Sequence, residues 1–176
     1  MSNEWYTPSK YIEAARAVMG SIDLDPASCE LANQTVRAAR YYTQEDNGLM
    51  QPWYGNVWLN PPYNSTDDCR FPQPTWAKRL QYEYRVGNVE QAILLISAAV
   101  KQKWFHELLD FPMCFMLERI FFTRPGKESE ELRQGNTVVY FGDNEQRFTE
   151  VFSKFGRIAK AIDVPAPRPR QLELVS

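Results

Sequence analysis

Asn60-Pro61-Pro62-Tyr63 gathers, in four residues, the groups needed to hold a planar amine. Pro61 forces Asn60 out of the helical region, Pro62 does the same to Pro61, and neither proline has an N–H to donate. The stretch is therefore a stiff extended turn whose carbonyls face no competing amide donors. Asn60 adds a side-chain carbonyl oxygen and Tyr63 a flat ring. Two acceptors aimed at the two N–H bonds of an exocyclic or amide nitrogen draw its lone pair out of conjugation, while the ring stacks on the attached plane. Such a nitrogen can attack an electrophilic methyl group. No strong base is required, because charge developing on the nitrogen makes its own proton acidic; the catalytic work is positioning and electrostatics. The tetrapeptide alone reads equally well as a proline-rich loop. The apolar run Val57-Trp58-Leu59 directly upstream favours the chemical reading, since it makes the turn the end of a buried strand.

Two further places can carry charge chemistry. Ser21 to Leu24 reads as a short strand, followed by Asp25-Pro26-Ala27-Ser28 and a helix from about Cys29 to Ala39. At such a junction a carboxylate can accept from an ammonium while backbone N–H groups hold a carboxylate, and these are the two charges of a methionine moiety. Asp25 or Ser28 also fits a plain N-cap. Asp46-Asn47-Gly48 is a turn signal, with ligand binding by Asp46 as an addition to it. Thr7 precedes a helical pattern over Ser9 to Met19, in which Tyr11, Ile12, Ala15, Val18 and Met19 recur at helical spacing, and Thr7 or Ser9 fits as its cap.

The elements that position these residues alternate. Arg40 to Thr43 reads as a brief strand, and 64 to 75 as polar and irregular. Trp76 to Arg85 is helical, with Lys78, Arg79 and Arg85 giving it a basic side that is either a solvated face or a contact for phosphates. Ala92-Ile93-Leu94-Leu95-Ile96 has the uninterrupted apolar character of a strand buried on both faces. Lys103 to Leu109 reads as a helix, Met113 to Leu117 as a strand, and Arg119 to Phe122 as its extension. The charged stretch from Arg124 to Asn136 reads as a loop facing a polyanion. A strand at Thr137 to Phe141, a helix at Glu145 to Phe155 and a short strand at Ile158 to Ile162 follow. This alternation predicts an α/β sheet whose two late strands form an antiparallel edge. Val164 to Arg170, rich in proline and carrying Arg168 and Arg170, reads as an extended tail. The expected organisation is one domain over residues 1–163 and a tail over 164–176.

The chain has 176 residues, 44% apolar and 24% charged, which is ordinary for one soluble domain. It shows no membrane-length apolar run and no secretory signal, so the expected location is the cytoplasm. Cys29, Cys69 and Cys114 form no Cys-x-x-Cys pair and His106 is the single histidine. No metal site is indicated. The net charge of −2 predicts weak, strongly salt-dependent binding to nucleic acid in general, so cations must be gathered on one face if DNA is the partner.

The order of Asn3-Glu4-Trp5-Tyr6-Thr7-Pro8, Ile22 to Ser28, Asp46-Asn47-Gly48-Leu49, Trp53 with Gly55, and Val57 to Tyr63 resembles a known family. It is that of the S-adenosylmethionine-dependent amino-methyltransferases, which carry (Asn/Asp/Ser)-Pro-Pro-(Tyr/Phe/Trp). Within them it is similar to the small phage and prophage DNA N6-adenine methyltransferases. The match covers roughly the first 80 residues; the rest agrees only as a pattern of strands and helices. The resemblance implies a Rossmann-like class I methyltransferase sheet, reduced in its early strands because 29 to 56 is too short for the full set. It implies S-adenosyl-L-methionine as cofactor, with Thr7, Asp25 and Pro26 at its methionine end and Asp46 at its adenine. The glycines usual after the first strand are replaced by Ala27-Ser28-Cys29-Glu30, a reduction that the small phage enzymes share.

The function expected is transfer of a methyl group to the N6 amine of an adenine flipped out of double-stranded DNA. Asn60, Pro61, Pro62 and Tyr63 form the catalytic turn, and Lys78, Arg79 and Arg124 meet the substrate. Two alternatives stand beside it. The same turn serves amines of RNA bases and glutamine amides of proteins, and a degenerate domain of this kind could bind DNA without turnover.

Overall fold

The computed structural model describes residues 6–63, 72–124, 127–131 and 135–162. The segment 64–71, the tail at 164–176 with Arg168 and Arg170, and Cys69 lie outside them.

Among the described residues five α-helices and nine strands follow one another: α1 Ser9–Met19, β1 Leu24–Asp25, α2 Glu30–Val36, β2 Arg40–Tyr41, β3 Gly55–Leu59, α3 Gln73–Arg85, β4 Val89–Ser97, α4 Lys103–His106, β5 Met113–Met116, β6 Phe121–Arg124, β7 Lys127–Glu131, β8 Asn136–Phe141, α5 Glu145–Phe152 and β9 Gly156–Ala159. Seven strands form one sheet in the order β2-β1-β3-β4-β8-β5-β9. The first four are parallel neighbours, with Leu24 beside both Arg40 and Val57, and Leu59 beside Leu94. β8 runs antiparallel to both β4 and β5. The mixed α/β sheet thus has a parallel early half, as expected.

Strand alternation divides the core into two faces. Trp58, Ile93, Leu95, Val138 and Tyr140 point toward α1 and α5, packing with Ile12, Ala15, Phe148 and Phe152. Val57, Leu59, Leu94, Ile96, Val139 and Phe141 point toward α3 and α4, packing with Trp76, Leu80 and Phe105. Ala92 to Ile96 are fully buried, as the apolar run requires. α1 turns Tyr11, Ile12, Ala14, Ala15, Val18 and Met19 inward and stops at Gly20, whose φ of 85° suits a residue without a Cβ.

Several elements differ from the sequence expectations. α2 ends at Val36 because Arg37 adopts a left-handed φ of 49°. α3 starts three residues before Trp76, since Pro74 is compatible with a first helical turn. α4 is a single turn. β8 is interior: all its residues are buried, and it inserts between β4 and β5 instead of forming an edge. The stretch expected as a loop after Arg124 contains β7, paired antiparallel with β6. Lys127-Glu128-Ser129-Glu130-Glu131 has no apolar alternation to announce a strand; the Pro125-Gly126 turn dipeptide was the usable signal.

Candidate active site

β1 and β3 are adjacent, but the chain leaves β1 toward β2 and later returns on the other side through β3. A crevice opens outside the carboxyl ends of strands at such a reversal. Asp25 ends β1 and Asn60 follows β3 there. Alternation puts Asp25, after core-facing Leu24, and Asn60, after Leu59, on the α1 side of the sheet.

The Asn60 side chain is half committed. Its Nδ2 donates to Thr7 Oγ1 at 3.1 Å, whereas its Oδ1 is buried without a hydrogen-bond partner among the described residues. A buried, unpaired amide oxygen costs stability unless something supplies a donor. Thr7 is itself buried and does not cap α1, whose cap position is Pro8. It is held by its neighbour Tyr6, which exchanges two backbone hydrogen bonds with Thr123 on β6, at 3.0 and 3.2 Å. The hydroxyl accepts from the amide, and among the described residues no bond uses its own proton.

Tyr63 lies against Phe122, their ring centroids 5.5 Å apart at 58°. Its hydroxyl accepts from Asn136 Nδ2 at 3.2 Å. Burial pushes the phenol above its ordinary range, against the pull of Asn136, so Tyr63 is a neutral ring and not a base. Sequence reasoning missed Asn136 and Phe122. Neither lies in a motif, and only the antiparallel course of β8 carries Asn136 to the carboxyl edge of the parallel strands.

Asp25 is only 3% exposed. Ala27 N–H donates to its Oδ1 at 3.2 Å, but no cation pairs with it among the described residues. Burial pushes its carboxyl up to about 7, against the Ser28 hydroxyl and the Ala27 amide. Ser28 Oγ lies close enough to moderate the carboxyl without forming a full hydrogen bond, and it too is buried and unpartnered. Neither Asp25 nor Ser28 is the helix cap; Cys29 Sγ takes that role, accepting from Ala32 N–H at 3.4 Å.

The Asp46-Asn47-Gly48 segment braces this loop. A Cβ on Gly48 would stand 1.8 Å from the Pro26 carbonyl oxygen, so only glycine allows the approach. The buried Trp53 indole donates to Gly48 O at 2.8 Å and fixes the segment from below. Asp46 is exposed and accepts from Thr43 N–H and Oγ1, both at 2.8 Å, which holds its carboxyl below the usual range. It lines a shallow groove with Ala39, Arg40, Tyr41 and Thr43, beside the β2 edge.

Lys78 and Arg79, neighbours on α3, point different ways. Lys78 is exposed on α3. Arg79 turns inward: it pairs with Glu83 at 2.6 Å, donates to the carbonyls of Leu49 and Gln51, and lies over the Trp53 ring. Arg124 closes β6, and its side chain lies outside the described residues. Among the described residues no group of three metal-ligating side chains occurs, and no helix is long and apolar enough to cross a membrane.

The arrangement provides an unpaired acceptor and a flat ring at one strand end, and an unpaired buried carboxylate at the next. A family model described as DNA N-6-adenine-methyltransferase (Dam) matches residues 1–154. No curated protein and no solved structure matches the chain.

Proposed function

Because the chain belongs to the DNA N-6-adenine-methyltransferase (Dam) family and is therefore an adenine-specific DNA methyltransferase, we propose how its residues divide the reaction. The observation that carries the proposal is Asn60: one end of its amide is spent on Thr7 and the other is a buried acceptor without a donor.

The adenine amine has two N–H bonds. Asn60 Oδ1 accepts one and the Pro61 carbonyl the other, drawing the N6 lone pair out of the ring and toward the methyl group. With Nδ2 held by Thr7, the oxygen and not the nitrogen meets the amine. Pro62 stiffens the turn, and Tyr63 stacks on the base, which reaches it by rotating out of double-stranded DNA. No residue of the site needs to act as a strong base, in keeping with the neutral phenol of Tyr63.

The methyl donor we assign is S-adenosyl-L-methionine, which supplies an electrophilic methyl group. The residues present fit it. Asp25 is a buried carboxylate without a cation, as an ammonium requires, and Ser28 Oγ is an unpartnered group beside it. The Thr7 proton is available to the donor's carboxylate. Pro26 shapes the loop, and we assign the groove at Asp46 to the adenosine end. The sheet is read as a class I methyltransferase sheet with a single parallel strand, β2, outside β1. The inserted antiparallel β8 supports this reading. Lys78 is the exposed cation we assign to substrate phosphates; Arg79, engaged inside the fold, braces the Gly48 segment.

Incubating the protein with isotopically labelled S-adenosylmethionine and adenine-unmethylated DNA, with RNA in parallel, tests the assignment after digestion to nucleosides and mass analysis. Labelled N6-methyldeoxyadenosine from double-stranded DNA is expected. Label confined to RNA, or to single-stranded DNA, would overturn it.

A further inference from the structure

Every group that this reading gives to the target base comes from the turn after β3, and a flat ring on such a turn can swing. The described residues restrain Tyr63 at two points. Phe122, fully buried, backs its ring. Asn136, 3% exposed, donates Nδ2 to its hydroxyl at 3.2 Å. Asn136 is the first residue of β8 and stands opposite Ser97, the last of β4. A parallel strand at this place in the sheet would present its carboxyl end to the site. The antiparallel β8 presents its amino end, and with it the buried Asn136 amide at the end of the β4–β8 ladder.

From this we propose that Asn136 is a positioning residue: its amide fixes the Tyr63 hydroxyl and so sets the plane on which the flipped adenine stacks. The inference rests on the reading of Tyr63 as the stacking surface. Asn136 touches neither substrate nor donor, and acts through the ring. Its buried position makes the restraint stiff, because the amide has no water to exchange with. Loss of the hydrogen bond removes the polar restraint and leaves only packing, with Phe122 behind the ring, so the ring can tilt out of the attack geometry and the chemical step slows. Donor binding, which depends on Asp25 and its loop, is untouched.

The test compares Asn136→Ala, Tyr63→Phe, their combination and Tyr63→Ala in steady-state transfer to adenine-unmethylated DNA, with donor affinity measured by calorimetry. Asn136→Ala and Tyr63→Phe delete the same hydrogen bond from its two ends. Each should lower kcat about three- to tenfold. The double variant should be no slower than the slower single, and donor affinity should stay at the wild-type value. A merely structural Asn136 would instead give additive losses together with weakened donor binding, and that result overturns the inference. Tyr63→Phe leaves the β8 backbone and the core alone, so wild-type turnover in this variant overturns it even if Asn136→Ala fails to fold. Tyr63→Ala separates the two levels. If it transfers at the wild-type rate, the stacking role itself fails; if it is inactive while Asn136→Ala is normal, only the positioning role does.

Discussion

Asp25 is costly to the fold, and we propose that the site needs it. Its carboxyl, 3.8 in the open, rises to about 7 because burial disfavours its charge. A raised acid favours the fold fully below the ordinary carboxylate range. That contribution is lost as pH climbs through about 7, above which the protein carries a buried, unpaired charge. The difference corresponds to about 4 kcal/mol as an upper estimate. Asp25→Asn keeps an acceptor for the Ala27 amide and removes the charge. It is expected to raise the thermal midpoint above pH 7, with the gain shrinking to nothing near pH 4, while donor affinity falls at least tenfold at pH 8. A variant no more stable than wild type at pH 8 would show that the carboxylate already has a partner. Asp25 was legible as a candidate from its place after a strand. Its missing counter-ion was not, because partner geometry leaves no trace in one chain position.

At the scale of elements, the loop after β1 and the segment before β3 act as one unit through Gly48 and Pro26. Gly48→Ala forces its Cβ into the Pro26 carbonyl oxygen, and the Asp25 loop must shift. Such a clash at a buried contact costs roughly 1–3 kcal/mol. Calorimetry should show donor affinity reduced about tenfold or more, with a lowered thermal midpoint; unchanged affinity would dissociate the two loops. The turn signal at Asp46-Asn47-Gly48 was readable, and the Thr43 bonds of Asp46 agree with a turn. The task of its glycine was hidden, since a close approach between segments 22 residues apart depends on tertiary packing. The β6–β7 hairpin was hidden for another reason. Its second strand has no apolar residue, and pairing to β6 through the backbone needs no apolar pattern.

For the molecule as a whole, the strand–helix alternation and the buried β4 run were enough to read an α/β sheet. They could not place β8, because an interior strand and a buried edge strand carry the same apolar residues. That placement has a consequence for function, as it brings Asn136 to Tyr63. The four residues of the turn were readable because prolines constrain the backbone locally; Thr7, Asn136 and Phe122 reach the turn only through the fold. The central claim is that the Asn60 oxygen acts on the amine and not on the donor. Single-turnover methyl transfer by Asn60→Ala, with donor affinity measured on the same preparation, tests it most directly. Donor affinity within about threefold of wild type and transfer slowed by about a hundredfold or more are expected. Transfer at a near-normal rate, or a loss of donor affinity that accounts for the slower transfer, would contradict it.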